Sequence, residues 1–255
     1  MEKSLRLEGL LNFIKGTGKV SMRQAIEYGT AHFNKPPLTI RRDIKELQKY
    51  HYISTELGLL KINVNKEIET TRSQKIEKNY NEKLMIAREA AKLIGNEKIL
   101  LVSPGTTMET FSRFINTKIE YLYTNGFEIT KQALTNQYID RIIVLGGRLR
   151  PQSLAFTGPQ ALNALDGLNF PLAFITGTNI DTNGYLCNNH IEEAEIIKKI
   201  IKVSEKVICL LDSSKIFQNG FIRITHISDI DIVISDNKIK DQHLLEEHTK
   251  LIIAK

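Results

Sequence analysis

The sequence contains only two cysteines, Cys187 and Cys209. They form no Cys-x-x-Cys pair, and each lies in a segment that reads without a disulfide. Neither a disulfide framework nor an oxidising compartment is indicated. No apolar run approaches the roughly 20 residues that a membrane-spanning helix needs. The opening stretch, MEKSLRLEGLLNFIKG, carries charges where a secretory signal has its apolar centre. His32, His51, His226, His243 and His248 show no metal-ligand spacing. The GxxxxGK[ST] spacing of a nucleotide-binding P-loop is also missing. These absences predict a cytoplasmic chain with no membrane contact, no metal and no cofactor.

What is present is an ordinary globular composition, 42% hydrophobic and 25% charged. The net charge of +6 is unevenly placed. Residues 1–62 hold 11 Lys/Arg against 6 Asp/Glu, and residues 63–255 hold 24 against 23. Nearly all the excess sits in the first quarter, as in a polyanion-binding module joined to a neutral body; a solvated basic face is the other reading.

The first 62 residues read as three short helices and a hairpin. Leu7, Leu10, Leu11 and Ile14 make one amphipathic face, which GTG at 16–18 ends. Ser21 is the expected N-cap of a second helix with Met22, Ala25 and Ile26 inward. GTAHFNKPP reads as a loop. Thr39 is the expected cap of a third helix, with Ile40, Ile44 and Leu47 as its core stripe. YHYISTELGLLKI reads as a small hairpin around Gly58. Residues 63–81 are polar and read as a linker.

Over 82–255 the pattern changes. KILLVS, IEYLYT, RIIVLGG, PLAFITG, KVICLLD, DIVISD and KLIIA are mostly unbroken apolar runs, as in strands buried on both faces. Helical patterns alternate with them, which predicts an α/β domain with a mostly parallel sheet.

The third helix poses the first functional question. With its apolar stripe buried, Arg41, Arg42, Lys45, Gln48 and Lys49 lie on its exposed sides. A basic third helix fits a helix-turn-helix whose recognition helix enters the major groove. Thr39, Arg41, Arg42, Lys45 and Lys49 are the candidate DNA-contacting residues, since Arg reads guanine and Thr bonds phosphate. The alternative is a salt-bridged surface helix, with Asp43 and Glu46 neutralising the arginines.

Four loops follow apolar strands in the second domain. SPGTT supplies Gly105, Thr106 and Thr107; YTNG supplies Thr124 and Asn125; LGGR supplies Gly147 and Arg148; LDSSK supplies Asp212 and Lys215. Ligands of open α/β sheets bind at the carboxyl ends of strands, and these hydroxyls, amides and cations suit a phosphorylated polyol. Taken alone, each is also a plain strand-to-helix turn. Glu192, Glu193 and Glu195 open a helix, where negative charge suits the dipole. Glu193 or Asp212, with His190, are the candidate carboxylates and base for contact with a sugar hydroxyl or for proton transfer.

LTIRRDIKEL resembles the recognition-helix signature of DeoR-type bacterial repressors. YNEKLMIAREAAKLI, SPGTTMETFS, TNGFEI, IIVLGGRLR, AFTGPQAL, AFITGTNID, GYLCNNHIEEAEIIKKII, LLDSSKI and DIVISD follow in that family's order. The PGTT loop with AFTG is most similar to the branch that includes lactose phosphotransferase repressors. The resemblance implies a helix-turn-helix, winged-helix-like domain over 1–62. It implies a sugar-phosphate-sensing domain over 82–255 that resembles ribose-5-phosphate and glucosamine-6-phosphate isomerases. It further implies a homo-oligomeric repressor of sugar-metabolism genes that binds double-stranded operator DNA. The implied effector is tagatose 6-phosphate or another hexose phosphate, with contacts at Gly105, Thr106, Thr107, Thr124, Asn125, Gly147, Arg148 and Lys215. Two departures from the family pattern are expected to alter DNA contacts: a turn about four residues longer between the second and third helices, and a wing that keeps only Gly58. A sugar-phosphate isomerase with an appended helical domain is the competing function.

Overall fold

The computed structural model describes residues 3–49, 53–62, 72–218 and 220–255. The chain divides into two compact units, Met1–Thr71 and Arg72–Lys255.

The first unit holds α1 (Lys3–Thr17), β1 (Lys19–Ser21), α2 (Met22–Phe33), α3 (Pro37–Lys49), β2 (Ile53–Glu56) and β3 (Leu59–Ile62). The apolar stripes meet as their spacing predicts: Leu10, Leu11, Ile14, Ile40, Ile44 and Leu47 share one core with Ile53 and Leu60. Ser21 caps α2 in a capping box, its hydroxyl accepting from Gln24 N while Gln24 Oε1 accepts from Ser21 N at 2.8 Å.

Two expectations fail here. The stretch 29–37 is not a long loop, because α2 continues to Phe33 and only Asn34, Lys35 and Pro36 connect it to α3. Gly29, the first residue of the expected loop, is a packing position inside α2: a Cβ there would stand 2.6 Å from Ile40 Cγ2. Asn34 closes α2 in the left-handed region (φ 50), and Pro37 opens α3. Thr39 is therefore not the cap. Its N–H donates to the Pro36 carbonyl at 2.9 Å, inside the first turn. The connection has the short length of a helix-turn-helix.

The wing also forms. Glu56 pairs with Leu59 across Leu57-Gly58, both at positive φ (51 and 77), a two-residue hairpin loop. β1 joins to give a three-stranded antiparallel sheet in the order β1-β3-β2 beside the three helices.

The second unit begins with α4 (Arg72–Glu77) and α5 (Tyr80–Lys92), so residues 72–81 of the expected linker are largely helical; residues 63–71 lie outside the described ones. There follow β4 (Ile99–Val102), α6 (Thr106–Ser112), β5 (Ile119–Thr124), α7 (Phe127–Leu134), β6 (Ile139–Val144), β7 (Arg148–Arg150), β8 (Ala155–Thr157) and α8 (Pro159–Asn163). The chain continues through β9 (Leu172–Ile175), β10 (Asn179–Ile180), β11 (Tyr185–Asn188), α9 (Ile191–Lys202), β12 (Val207–Leu210), β13 (Ile222–His226), β14 (Ile232–Asp236), α10 (His243–Glu246) and β15 (Lys250–Ala254).

All seven apolar runs enter one parallel sheet, ordered β15-β14-β12-β9-β4-β5-β6. Successive residues serve opposite faces, which is why the runs do not alternate. Leu101, Ala173, Ile175 and Cys209 pack with Ala194, Ile197 and Ile200 of α9. Leu100, Val102, Phe174 and Ile208 pack with Ile86 and Ala90 of α5 and with Phe111 of α6. The chain lays β5 and β6 on one side of β4, then returns to place β9 on the other. The switch point, where a ligand crevice opens, is thus between β4 and β9. A small antiparallel sheet, β10-β11-β13, and a β7–β8 hairpin sit outside the main sheet.

Candidate functional site

On α3 the exposed sides carry Arg41, Arg42 and Lys45, and Thr39 is half-buried. The side chain of Lys49 lies outside the described ones. Asp43 turns inward. It is 3% exposed, and its carboxylate accepts from Arg6 Nε at 2.9 Å and from Arg6 Nη2 at 3.3 Å. Among the described residues, none forms an ion pair with Arg41, Arg42 or Lys45. Gln48 is committed elsewhere, donating to Thr55 Oγ1 of the wing at 2.9 Å.

In the second unit, the loops after β4, β5 and β9 abut. Gly105 has φ 140, and a Cβ there would lie 2.6 Å from Thr176 Cγ2. Thr176 N donates to Ser103 Oγ, and Thr176 Oγ1 donates to the Leu210 carbonyl at 2.7 Å. Thr124 is a fastener. Its hydroxyl donates to the Val102 carbonyl at 2.7 Å and accepts from Gly126 N at 2.9 Å, which leaves little for a ligand. Thr107 Oγ1, Asn125 Oδ1, Asn179 Oδ1 and His190 Nδ1 are buried with no hydrogen-bond partner among the described residues. Buried polar atoms ordinarily find partners, so these four are available to a ligand or to water, as are Thr30 Oγ1 and Ser235 Oγ elsewhere.

Beside these loops lies a cluster of lysines. After β12 the chain makes one tight turn over Ser213–Lys215, pinned by Ser213 N and Oγ donating to Asp236 at 2.7 and 2.8 Å. Asp212 accepts from Asn79 Nδ2 at 2.7 Å and from Ser214 Oγ at 2.5 Å. Burial alone would raise the Asp212 carboxyl; Lys215, with those hydrogen bonds, holds it below the usual range. Burial pushes the Lys215 ammonium down, Asp212 opposes this, and Lys75 and Lys78 push it further down. Lys83 of α5 is 3% exposed; burial, with Lys215 adding to it, lowers it to about 8. Its ammonium donates to the Lys75 carbonyl. Lys83 is buried, Lys75 and Lys215 are half-buried and Lys78 is exposed; their charges act on one another, and such a concentration of ammonium groups favours a bound anion. A cavity of about 450 Å³ is lined by Asn79 and Ser214, the two hydrogen-bond partners of Asp212, but by none of the four lysines.

Of the residues picked from the sequence, Asp212 and Lys215 lie in this cluster, and Thr106 reaches it through Lys75, whose carbonyl accepts from its hydroxyl at 3.4 Å. Gly147, Arg148 and Glu193 serve another arrangement. A Cβ on Gly147 would meet the Thr157 carbonyl at 2.5 Å. Arg148 Nη2 donates to both Glu192 oxygens at 2.6 Å; Glu193 Oε1 accepts from Arg150 Nη1 at 3.2 Å and from Ser153 Oγ at 2.6 Å. These bonds clamp the β7–β8 hairpin to the start of α9. Asn79, Lys83, Lys75 and Asn179 were missed. For Lys83 the signal was there: it lies on the stripe of Ile86, Ala87 and Ala90, a lysine on a buried helix face.

Residues 78–237 match the family described as the DeoR C terminal sensor domain. The chain belongs to this family. Its curated relatives include the glycerol-3-phosphate regulon repressor of Escherichia coli strain K12, 28% identical over 92% of this chain and 92% of that protein. Another is the lactose phosphotransferase system repressor of Lactococcus lactis subsp. lactis, 27% identical over the full length of both. Among solved structures, ribose 5-phosphate isomerase A from Methanocaldococcus jannaschii is 20% identical over 54% of this chain and 55% of that one, with a TM-score of 0.39. The eIF2B delta subunit from Chaetomium thermophilum is 17% identical over 78% and 63%, with a TM-score of 0.42. Likenesses of that size carry no argument about activity. The lysine cluster of this DeoR-family chain lies within the matched span apart from Lys75, and its basic helix lies before it. No described helix is long and apolar enough to cross a membrane, and no cluster of three potential metal ligands occurs among the described residues.

Proposed function

We propose that the chain is a DNA-binding transcriptional repressor of sugar-metabolism genes, acting in the cytoplasm as a homo-oligomer. A phosphorylated sugar bound in the second unit changes its operator affinity. The observation that carries the DNA-binding half is the direction of Asp43. The carboxylate next in sequence to Arg41 and Arg42 is spent on Arg6, and among the described residues neither of these two exposed arginines of the third helix forms an ion pair. The lysine cluster with its orphaned neighbours supports the effector half, and so do the names of the relatives. A hexose phosphate such as tagatose 6-phosphate fits the expected chemistry: the dianion takes Lys215 and Lys83, and the hydroxyls take Asn125, Thr107 and Asn179. The isomerase reading loses support because Glu193 is tied to Arg150 and Ser153, while Asp212 is fixed by Asn79, Ser214 and Lys215.

Separation of function tests this. Arg42→Ala is expected to weaken operator binding by about 1–3 kcal/mol and to leave sugar-phosphate binding intact. Lys215→Ala is expected to do the reverse. Both variants should be titrated with labelled operator and with sugar phosphate. Joint loss of both activities in either variant would contradict the assignment.

A further inference from the structure

We propose that the first unit reads its operator with two apolar side chains besides its basic ones: Leu38 against thymine methyl groups in the major groove, and Leu57 in the minor groove beside it. The inference rests on the DNA-binding half of the function proposed above, and it adds two contact residues to that half.

Among the described residues of the first unit, the exposed large apolar side chains are Leu38, 61% exposed, and Leu57, 96% exposed. A single exposed leucine ordinarily means nothing; here the placement of each does. Leu38 lies in the first turn of α3, three and four residues before Arg41 and Arg42 and seven before Lys45. That spacing puts the four on one helix face, while Ile40, Ile44 and Leu47 turn to the core. Leu38 thus begins the basic stripe, at the end of a recognition helix that reaches base edges. The thymine methyl is the apolar group on the major-groove edges, and an apolar side chain reads it. Leu57 stands at the tip of the β2–β3 hairpin with φ 51, a left-handed conformation whose ordinary occupants are Gly and Asn. A leucine there costs hairpin stability and buries nothing in return, and departures of this kind from local preference fall at functional sites. The hairpin is tied to the same helix, since Thr55, two residues before the tip, accepts from Gln48 Nε2 at 2.9 Å. Glu56, the carboxylate beside the tip, accepts from Lys61 Nζ at 2.7 Å and stands 3.4 Å from Lys19 Nζ. Two ammonium groups therefore offset the one charge that would hold the tip away from phosphates. Leucine is among the side chains that wedge into the minor groove.

The test is titration of labelled DNA from upstream of the chain's own gene with wild type, Leu38→Ala, Leu57→Asn and Arg42→Ala at several salt concentrations. It is repeated with deoxyuridine in place of thymidine, which removes only the methyl groups. Neither leucine carries charge. Leu38→Ala and Leu57→Asn should each bind several-fold more weakly with an unchanged slope of log affinity on log salt, whereas Arg42→Ala should lower that slope by about 1. Uracil should weaken wild type and Leu57→Asn several-fold but cost Leu38→Ala little more, because alanine is already too short to reach the methyl group. Both side chains are exposed, so both variants should melt no lower than wild type. Unchanged affinity in either variant would overturn the role of that leucine, and an equal uracil penalty in wild type and Leu38→Ala would overturn the methyl contact. A lower oligomeric state of DNA-free Leu57→Asn would assign Leu57 to a contact between copies and overturn its place on DNA. Each of these leaves the DNA-binding reading standing. Wild type that binds no tighter than to random DNA would overturn that reading, and this inference with it.

Discussion

Asp43 and Lys83 are the two residues whose surroundings matter most to the account, and the sequence shows them unequally. Asp43 follows the paired arginines and reads as their neutraliser; its actual partner, Arg6, lies far back in the chain, and no local spacing reveals a pair of that separation. Asp43→Ala would leave the Arg6 guanidinium largely buried, so urea denaturation is expected to show a loss of about 3 kcal/mol. A loss below about 1 kcal/mol, the scale of an exposed pair, would contradict its role. Lys83 was legible, as a cation on an apolar helical stripe. Its ammonium is lowered to about 8 by burial and by Lys215. The charged form is the one that binds phosphate, so affinity should hold below pH 8 and fall as pH rises through it. A titration that stays flat to pH 9.5 would remove Lys83 from the site. The fold itself should respond in the opposite direction. The unfolded chain keeps the Lys83 proton up to its ordinary value near 10.5, so between about 8 and 10.5 this group makes stability rise with pH.

At the scale of elements, the unbroken apolar runs located the parallel sheet, because a strand covered on both faces needs no polar residue along its length. β10, β11 and β13 escaped notice for the converse reason. They are short, and Asn179, Asn188, Arg223 and Thr225 give them the look of loops. The turn before α3 is shorter than expected because GTAHFNKPP has the composition of a loop, whereas Gly29 is a small residue of α2 at a helix crossing. Gly29→Ala should therefore destabilise the first unit by about 1–3 kcal/mol, since Ile40 must shift to admit the methyl group. A thermal melt unchanged by that substitution would mean that α2 and α3 do not cross there. The wing makes a matching prediction. Leu57 is 96% exposed in a left-handed conformation that Asn adopts more readily, so Leu57→Asn should stabilise the hairpin by several tenths of a kcal/mol. The candidate site was only half legible for a related reason. Loops after strands announce themselves by Gly, Thr and Ser, but which of their hydroxyls is already spent, as Thr124 is, depends on neighbours in other strands.

For the whole molecule, charge and chemistry divide along the chain. The basic excess lies in residues 1–62, and the lysine cluster lies in the unit that belongs to the DeoR sensor family. A repressor needs each unit to bind its own ligand and needs the two affinities to be linked by a coupling free energy of about 1–3 kcal/mol. The most direct measurement is fluorescence-anisotropy binding of the full chain to the DNA upstream of its own gene. It should be made at two salt concentrations, with and without tagatose 6-phosphate, glycerol 3-phosphate and ribose 5-phosphate. The account predicts binding that weakens steeply with salt and that is shifted roughly 5- to 150-fold by one of the phosphates. Binding no tighter than to random DNA, unmoved by any phosphate, would contradict it.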